Sequence, residues 1–202
     1  MSLVKKSNGQ IQGTANAQGG TPLSPLVFEC CEIPYGFAFI SCSATGIRRL
    51  DLFENKRQLQ RYLLAHSPQS PAQLSPCKAE QTALLEHVRR ALLNHISLEE
   101  LPVDLSGTPF QLRVWKHLRS IPPGEVRSYA EVARALGFPR AVRAVASACA
   151  RNILGLVIPC HRVIRSDGSP GGYRWGLPLK EKLLLLERQQ LQKALVSTQQ
   201  VR

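Results

Sequence analysis

Three short apolar-rich runs open the ordered-looking part of the chain, at residues 26–33, 37–41 and 47–53. They read as strands, broken by Pro34-Tyr35-Gly36 and Thr45-Gly46. The spacing then changes. Leu84, Leu85, Val88 and Leu92 recur at helical intervals along one face of a helix expected over residues 78–94, and a shorter helix is expected near residues 56–65. The Ser/Pro/Gln stretch 67–76 between them reads as a loop. Residues 1–25 carry Gly, Ser, Asn, Gln and Thr with too few apolar groups to offset the entropy of ordering, so a flexible tail is expected.

A boundary falls near Ser106-Gly107, and helices dominate beyond it. Thr108-Pro109-Phe110-Gln111 combines a threonine cap, a proline in the first turn and a glutamine three residues after the cap. The helix it opens turns Phe110, Val114, Trp115 and Leu118 inward and stops at Ile121-Pro122-Pro123-Gly124. Ser128-Tyr129-Ala130-Glu131 is a second capping box, starting a helix that ends at Gly137. A third helix is expected from Pro139 through Arg151, and a last one over residues 179–189, with a Gln-rich tail after it. The pattern predicts an α+β chain: a flexible tail at 1–25, a sheet-plus-helix scaffold at 26–105, a mostly helical domain at 106–190, and a tail at 191–202.

Two short helices around a glycine-containing turn form a plausible helix-turn-helix. The second is nearly all alanine and valine, with Arg140, Arg143 and Arg151 along it. Small side chains let a helix approach a surface closely, and the arginines could meet phosphates. The same alanines would equally suit a helix packed between others.

Charge favours the first reading. Of the net +12 carried by 202 residues, residues 107–188 supply nine, with 14 Lys and Arg against five Asp and Glu. A cationic segment that also looks folded points to an anionic partner, nucleic acid before membrane. The 44% hydrophobic and 20% charged composition is that of an ordinary globular protein. No apolar run is long enough to span a bilayer, and no apolar signal core stands at the start, so an intracellular protein is expected. Cys30, Cys31, Cys42, Cys77, Cys149 and Cys160 show no regular framework and no CxxC pair, which favours reduced thiols.

The candidate chemistry lies after Asn152. A near-continuous apolar run, Ile153-Leu154-Gly155-Leu156-Val157-Ile158, delivers Pro159-Cys160-His161-Arg162. A thiol reacts in proportion to its thiolate character, which nearby cations or an imidazole base raise. On a regular strand Cys160 and His161 would point to opposite faces, so a turn or a bridging water would be needed to join them. The pair otherwise reads as a buried cysteine beside a surface histidine. Downstream, a turn-rich loop from Arg165 to Gly172 leads to Tyr173-Arg174-Trp175-Gly176, whose aromatics could wall a pocket for a planar base.

These residues together resemble the O6-alkylguanine-DNA alkyltransferases. Ile158-Pro159-Cys160-His161-Arg162-Val163 is similar to that family's active-site motif. Phe110, Val114-Trp115, Ser128-Tyr129, Arg140-Ala141-Val142-Arg143-Ala144-Val145, Asn152 and Gly172-Tyr173-Arg174-Trp175-Gly176 follow in the family's order and spacing. The similarity is strong over residues 107–188 and only in outline over 26–105.

The resemblance implies direct-reversal repair: an alkyl group passes from O6 of guanine, and less well from O4 of thymine, to Cys160, once and irreversibly. It further implies that His161 acts through a water as base, that Glu187 orients it, that Asn152 braces the turn and that Tyr129 assists the leaving guanine. Arg143 would fill the gap left by a flipped nucleotide, with Ala141, Arg140, Ser128 and Arg151 along the DNA. Tyr173, Arg174, Trp175 and Val163 would line the base pocket.

The implied partner is double-stranded DNA carrying O6-alkylguanine, met by a monomer in the nucleus of a eukaryote or the cytoplasm of a bacterium. No cofactor is implied. Where vertebrate members hold a structural zinc, the corresponding places here carry Ser43 and Arg48, so no metal is expected. The alternative is a helix-turn-helix protein that recognises alkylated or specific DNA without chemistry.

Overall fold

The computed structural model describes residues 9–11, 26–66, 79–94, 98 and 100–199. They fall into two compact units, Met1–Leu105 and Ser106–Arg202. The expected loop at 67–76 and Cys77 lie outside the described residues.

In the first unit, β1 (Gly9–Ile11), β2 (Leu26–Ile33), β3 (Gly36–Cys42) and β4 (Ile47–Phe53) form one sheet in that order. Each described pairing is antiparallel, with Ile33 opposite Gly36 at a tight hairpin and Phe37 opposite Phe53. β1 corrects the sequence reading: Gly9-Gln10-Ile11 lies in the stretch expected to be a flexible tail, and backbone pairing to Phe28, Val27 and Leu26 holds it. Three residues joined by ladder hydrogen bonds leave no compositional trace.

Helices α1 (Lys56–His66) and α2 (Ala79–Asn94) pack on this sheet. Ala38, Ile40, Cys42, Ile47, Leu50 and Val88 are fully buried, and Phe39 meets Phe28 and the α1 residue Tyr62. Gly46 is required where it stands. Its φ is +154°, and a Cβ there would lie 2.6 Å from the Pro102 carbonyl. That approach lets Ile47 N–H donate to Pro102 O while Asp104 N–H donates to Ile47 O. Ser43 and Arg48 are engaged within the unit. Ser43 Oγ lies 3.0 Å from Thr45 Oγ1, and Arg48 pairs with Asp104 at 2.9 Å.

In the second unit, α3 (Pro109–Leu118) begins at Thr108, whose hydroxyl accepts from Gln111 N–H while Gln111 Oε1 accepts from Thr108 N–H. Val114, Trp115 and Leu118 are buried. α4 (Tyr129–Ala135) has the same device at Ser128 and Glu131. It ends at Gly137, where φ is +82° and Phe138 N–H donates back to Ala133 O.

α5 covers Val142–Ala150 and starts three residues later than the sequence suggested. Pro139 belongs instead to a turn in which Ala141 N–H donates to Phe138 O at 2.8 Å, the place where proline's fixed φ suits a turn as well as a helix start. α4, the turn and α5 form the expected helix-turn-helix. The Trp115 indole N–H donates to Ala148 O at 2.9 Å and ties α3 to the far end of α5.

α6 (Leu177–Gln199) is much longer than expected. The glutamines read as a tail are good helix formers, and Leu191 and Leu195 continue the helical spacing past them. The chain is α+β. Among the described residues no helix is long and apolar enough to cross a membrane.

Candidate functional site

The apolar run after α5 is not a strand. Leu156 sits at φ +66°, the only non-glycine residue with positive φ among those described, inside a tight turn. Asn152, itself buried, braces that turn from within. Its carbonyl accepts from Leu154 N–H at 2.8 Å, and its amide donates to Ile158 O at 2.9 Å and to Cys160 Sγ at 3.1 Å. One side chain therefore sets both the backbone path and the position of the thiol.

Cys160, His161 and Arg162 then form a single 3-10 turn, and all three are buried. Among the described residues no hydrogen bond joins the Cys160 thiol to the His161 imidazole. Reading His161 as a surface histidine would have been wrong: it is 1% exposed.

The next two residues, β6 (Val163–Ile164), pair in parallel with β5 (Arg127–Ser128). This short ladder brings the start of α4, and with it Tyr129, alongside the strand that leaves Cys160. The loop that follows packs against the same tyrosine. A Cβ on Gly171 would come 3.1 Å from the Tyr129 hydroxyl.

Beneath the turn, Glu187 of α6 gathers three donors. His161 Nε2 lies 2.8 Å from Oε1, Arg162 reaches both carboxylate oxygens at 2.8–3.1 Å, and Gly124 N–H donates to Oε2 at 3.0 Å. Arg162 also donates to Ile121 O at 2.5 Å. Burial alone would raise the Glu187 carboxyl, but the hydrogen bonds from His161 and Arg162 win and hold it down to about 2. Burial likewise holds the imidazole of His161 below its ordinary range despite the carboxylate, with Arg162 and Lys180 pushing the same way.

These two shifts would conflict if His161 were the cation of the pair. Arg162 resolves them. It is the charged partner, so Glu187 stays ionised while His161 stays neutral. A neutral imidazole facing a carboxylate places its N–H on Nε2. Nδ1 is then a bare acceptor, and it has no hydrogen-bond partner among the described residues.

Burial pushes the Cys160 thiol up to about 11, against the pull of the Asn152 amide, Lys180 and Arg174. Burial, with Cys149 and Cys160 nearby, also raises the Tyr129 phenol to about 12, so it stays protonated as a donor. The site at rest is a neutral thiol, a neutral base on a fixed carboxylate, and a protonated phenol.

Of the other residues singled out from sequence, Tyr173 lies edge-on to His161 with centroids 6.4 Å apart and to Trp175 at 5.2 Å. Val163 is buried, Tyr173 and Trp175 half-buried and Arg174 exposed. Arg140, Arg143 and Arg151 are exposed around α5, with Ala141 half-buried at its start. Ser128 is spent locally: its hydroxyl serves the α4 cap and donates to Glu131 at 2.8 Å.

Two residues escaped the sequence reading. Arg162 was visible only as one more cation in the motif, and nothing in the spacing distinguishes an arginine that anchors a carboxylate. Lys180 is fully buried. Its signal was a helical face, since Lys180, Leu183 and Glu187 recur at intervals of three and four. Among the described residues no group of three or more His, Cys, Asp or Glu could hold a metal ion.

Residues 109–189 match the protein-family model described as 6-O-methylguanine DNA methyltransferase, DNA binding domain. The bifunctional transcriptional activator/DNA repair enzyme Ada of Escherichia coli is 59% identical over 87 residues, 43% of this chain; the chain spans only a quarter of that longer protein's length. A methylated-DNA–protein-cysteine methyltransferase of Methanosarcina barkeri is 37% identical over 166 residues, 82% of this chain and 99% of that protein. Among solved structures, Mycobacterium tuberculosis OGT in complex with DNA superposes with a TM-score of 0.61 at 30% identity, over 79% of this chain and 91% of that one.

Proposed function

Because the chain belongs to the methylated-DNA–protein-cysteine methyltransferase family, we infer that it repairs DNA by moving an alkyl group from O6 of guanine to Cys160. The single observation that carries this reading is the acceptor thiol itself. It is buried, held by Asn152 at 3.1 Å, and neighboured by a neutral histidine fixed on Glu187. A thiol built only for packing would be buried too, but needs neither the amide nor the oriented histidine.

The geometry suggests the order of events. The O6 substituent is inside a base pair, so the nucleotide must leave the stack, at a cost of roughly a few kcal/mol. Arg143, exposed on the small-residue helix α5, fills the space it vacates, and such a wedge with close minor-groove contact offsets the cost. Arg140 and Arg151 neutralise phosphates beside it. The extruded base enters between Tyr173, Trp175 and Val163.

His161 Nδ1 takes the thiol proton through a bridging water, since the two groups share no direct hydrogen bond. Sulfur then attacks the saturated carbon. The S–C bond forms, the C–O6 bond breaks, and its electron pair stays on the guanine, which accepts a proton with the Tyr129 hydroxyl as donor. The proton held by His161 then returns through solvent to the Tyr129 phenolate, so that in sum one alkyl group and one proton have exchanged places. The thioether product is stable to hydrolysis, so each chain reacts once. O4-alkylthymine presents the same kind of carbon on a smaller ring and is a poorer substrate. The protein acts as a monomer in the compartment that holds the DNA, the nucleus of a eukaryote or the cytoplasm of a bacterium.

Incubation with a duplex carrying one O6-methylguanine, followed by intact-protein mass measurement and peptide mapping, tests the reading. One methyl per chain on Cys160 is expected. An unchanged mass with the lesion still bound would leave a protein that recognises damage without removing it. A methyl on Cys149 would move the acceptor.

A further inference from the structure

Lys180 is the one fully buried ammonium group among the described residues, and no carboxylate among them meets it. Its Nζ donates to Val163 O at 2.5 Å and, at closer range still, to Pro170 O. These carbonyls stand at either side of the loop that carries Arg165 to Ser169, one on the strand leaving Cys160 and one at the entry to Gly171-Gly172-Tyr173. A buried cation without a carboxylate is costly, and such a charge persists in folded proteins when something else in the site compensates it. The groups within its electrostatic reach that can become anionic are the thiols of Cys160 and Cys149.

We propose that Lys180 is a positioning residue of the alkyl-acceptor site. It clamps the pocket loop to the strand behind Cys160, and its buried charge stabilises the thiolate that Cys160 must become. This rests on reading Cys160 as the acceptor. The clamp and the charge have separate consequences, because the carbonyl hydrogen bonds require only a donor whereas thiolate stabilisation requires the positive charge.

The remaining groups that face the thiol are few. Asn152 donates to it, Arg174 adds a more exposed positive charge, and His161 is neutral on its Glu187–Arg162 support. Cys149 and the Tyr129 phenol, with Arg165 beyond the phenol, are neutral at rest, and burial keeps both protonated. Of the two cations that pull on the Cys160 thiol, Lys180 is therefore the buried one.

The test compares the full-length protein with Lys180→Gln, Lys180→Met and Lys180→Arg. Two rates are followed for each across pH: methyl transfer from an O6-methylguanine duplex, and alkylation of Cys160 by iodoacetamide, read by peptide mapping. Glutamine keeps a donor for the carbonyls and removes the charge. Methionine removes both, and arginine keeps the charge.

In Gln and Met variants the Cys160 alkylation profile is expected to move up by about one pH unit, the lower end of what a near opposite charge produces. Near neutral pH that lowers the thiolate fraction, and with it transfer, about tenfold. Arginine should keep the profile near that of wild type. The Met variant alone should also lose the pocket loop's order, seen as a shift in Trp175 fluorescence.

An unchanged alkylation profile in Lys180→Gln would overturn the proposal, as would Lys180→Arg shifting as far as Gln. If wild type itself transfers no methyl, the reading of Cys160 as acceptor fails. The iodoacetamide profile still reports whether Lys180 governs the thiol.

Discussion

Replacing Glu187 by glutamine should destabilise the C-terminal unit by about 3 kcal/mol, and two separate routes lead to that size. The first is the stranded cation. Arg162 is 4% exposed and spends three contacts on the carboxylate, and removing one partner of a buried ion pair typically costs about 3–5 kcal/mol. The second is proton linkage. A carboxyl held from its ordinary 4.5 down to about 2 contributes roughly 3 kcal/mol when ionised. At 14% exposure the Glu187 side chain is too buried for solvent screening to erase that figure.

The sign follows from the direction of the shift. A depressed carboxyl contributes its full stability above the unfolded-state value near 4.5, and the contribution disappears as pH falls through about 2. His161 adds an earlier slope. Its imidazole is depressed in the folded state, so stability declines once pH drops below the unfolded value of 6.5. Only the lower slope belongs to Glu187.

Both tryptophans, Trp115 and Trp175, lie in the C-terminal unit, so urea unfolding followed by intrinsic fluorescence reads that unit alone. Wild type and Glu187→Gln should differ most at pH 7, begin to converge below about pH 4.5 and meet only near pH 2. A gap under 1 kcal/mol at pH 7, or one that fails to narrow in acid, would refute the ion-pair argument. Adding Arg162→Met to the glutamine variant should recover part of the loss, because the unpaired charge goes with it.

Asn152→Ala should cost about 1–3 kcal/mol in the same unfolding experiment, because it leaves the buried Leu154 N–H without a partner, while the Ile158 carbonyl keeps only the Cys160 N–H. It should also slow Cys160 alkylation by iodoacetamide, since the amide no longer favours the thiolate. Arg143→Ala should weaken repair of duplex DNA far more than reaction with the free base analogue O6-benzylguanine. Equal loss on both would argue against its filling the vacated stack. Gly171→Ala should slow methyl transfer and cost about 1–2 kcal/mol for a side chain at φ +66°. Its Cβ would press on Tyr129, whereas Gly172→Ala, where a Cβ meets nothing, should be mild on both counts.

Much of the architecture was legible because it depends on local rules. The two capping boxes, at Thr108/Gln111 and Ser128/Glu131, name their own partners three residues away. The strands of the first sheet are bounded by Pro34-Tyr35-Gly36 and by Thr45-Gly46, and the glycines there are forced by backbone approach. What local rules miss is what distant residues supply. Gly9–Ile11 is a strand because β2 offers it hydrogen bonds, and α5 starts late because Pro139 fits a turn equally well. The site divides the same way. Cys160, His161 and Asn152 announce themselves by proximity in the chain. The Arg162–Glu187 pair spans 25 residues, and Lys180 reaches backbone carbonyls, which carry no sequence signature at all.

If Cys160 takes one alkyl group and is then spent, as proposed above, its resting state bears on how the protein avoids being wasted. A thiolate exposed to the cell would react with any passing electrophile, and on the proposed single-turnover reading each such event would be a permanent loss. Here burial keeps Cys160 protonated, with its thiol pushed up to about 11, while the base beside it is neutral and already oriented. The cost of ionisation is reduced by groups that are fixed before substrate arrives: the Asn152 amide, the buried Lys180 and the bare Nδ1 of His161. Such a site is slow toward electrophiles in bulk water, which cannot reach sulfur, base and proton donor together. On the proposed reading it becomes fast when a planar base fills the pocket against Tyr173 and places its O6 substituent at the sulfur, because positioning then converts a bimolecular step into a nearly unimolecular one. Selectivity for the lesion thus arises from the same burial that raises the thiol, and a substitution that made Cys160 more acidic by opening the pocket to water should increase its alkylation by iodoacetamide while lowering its yield of repaired DNA.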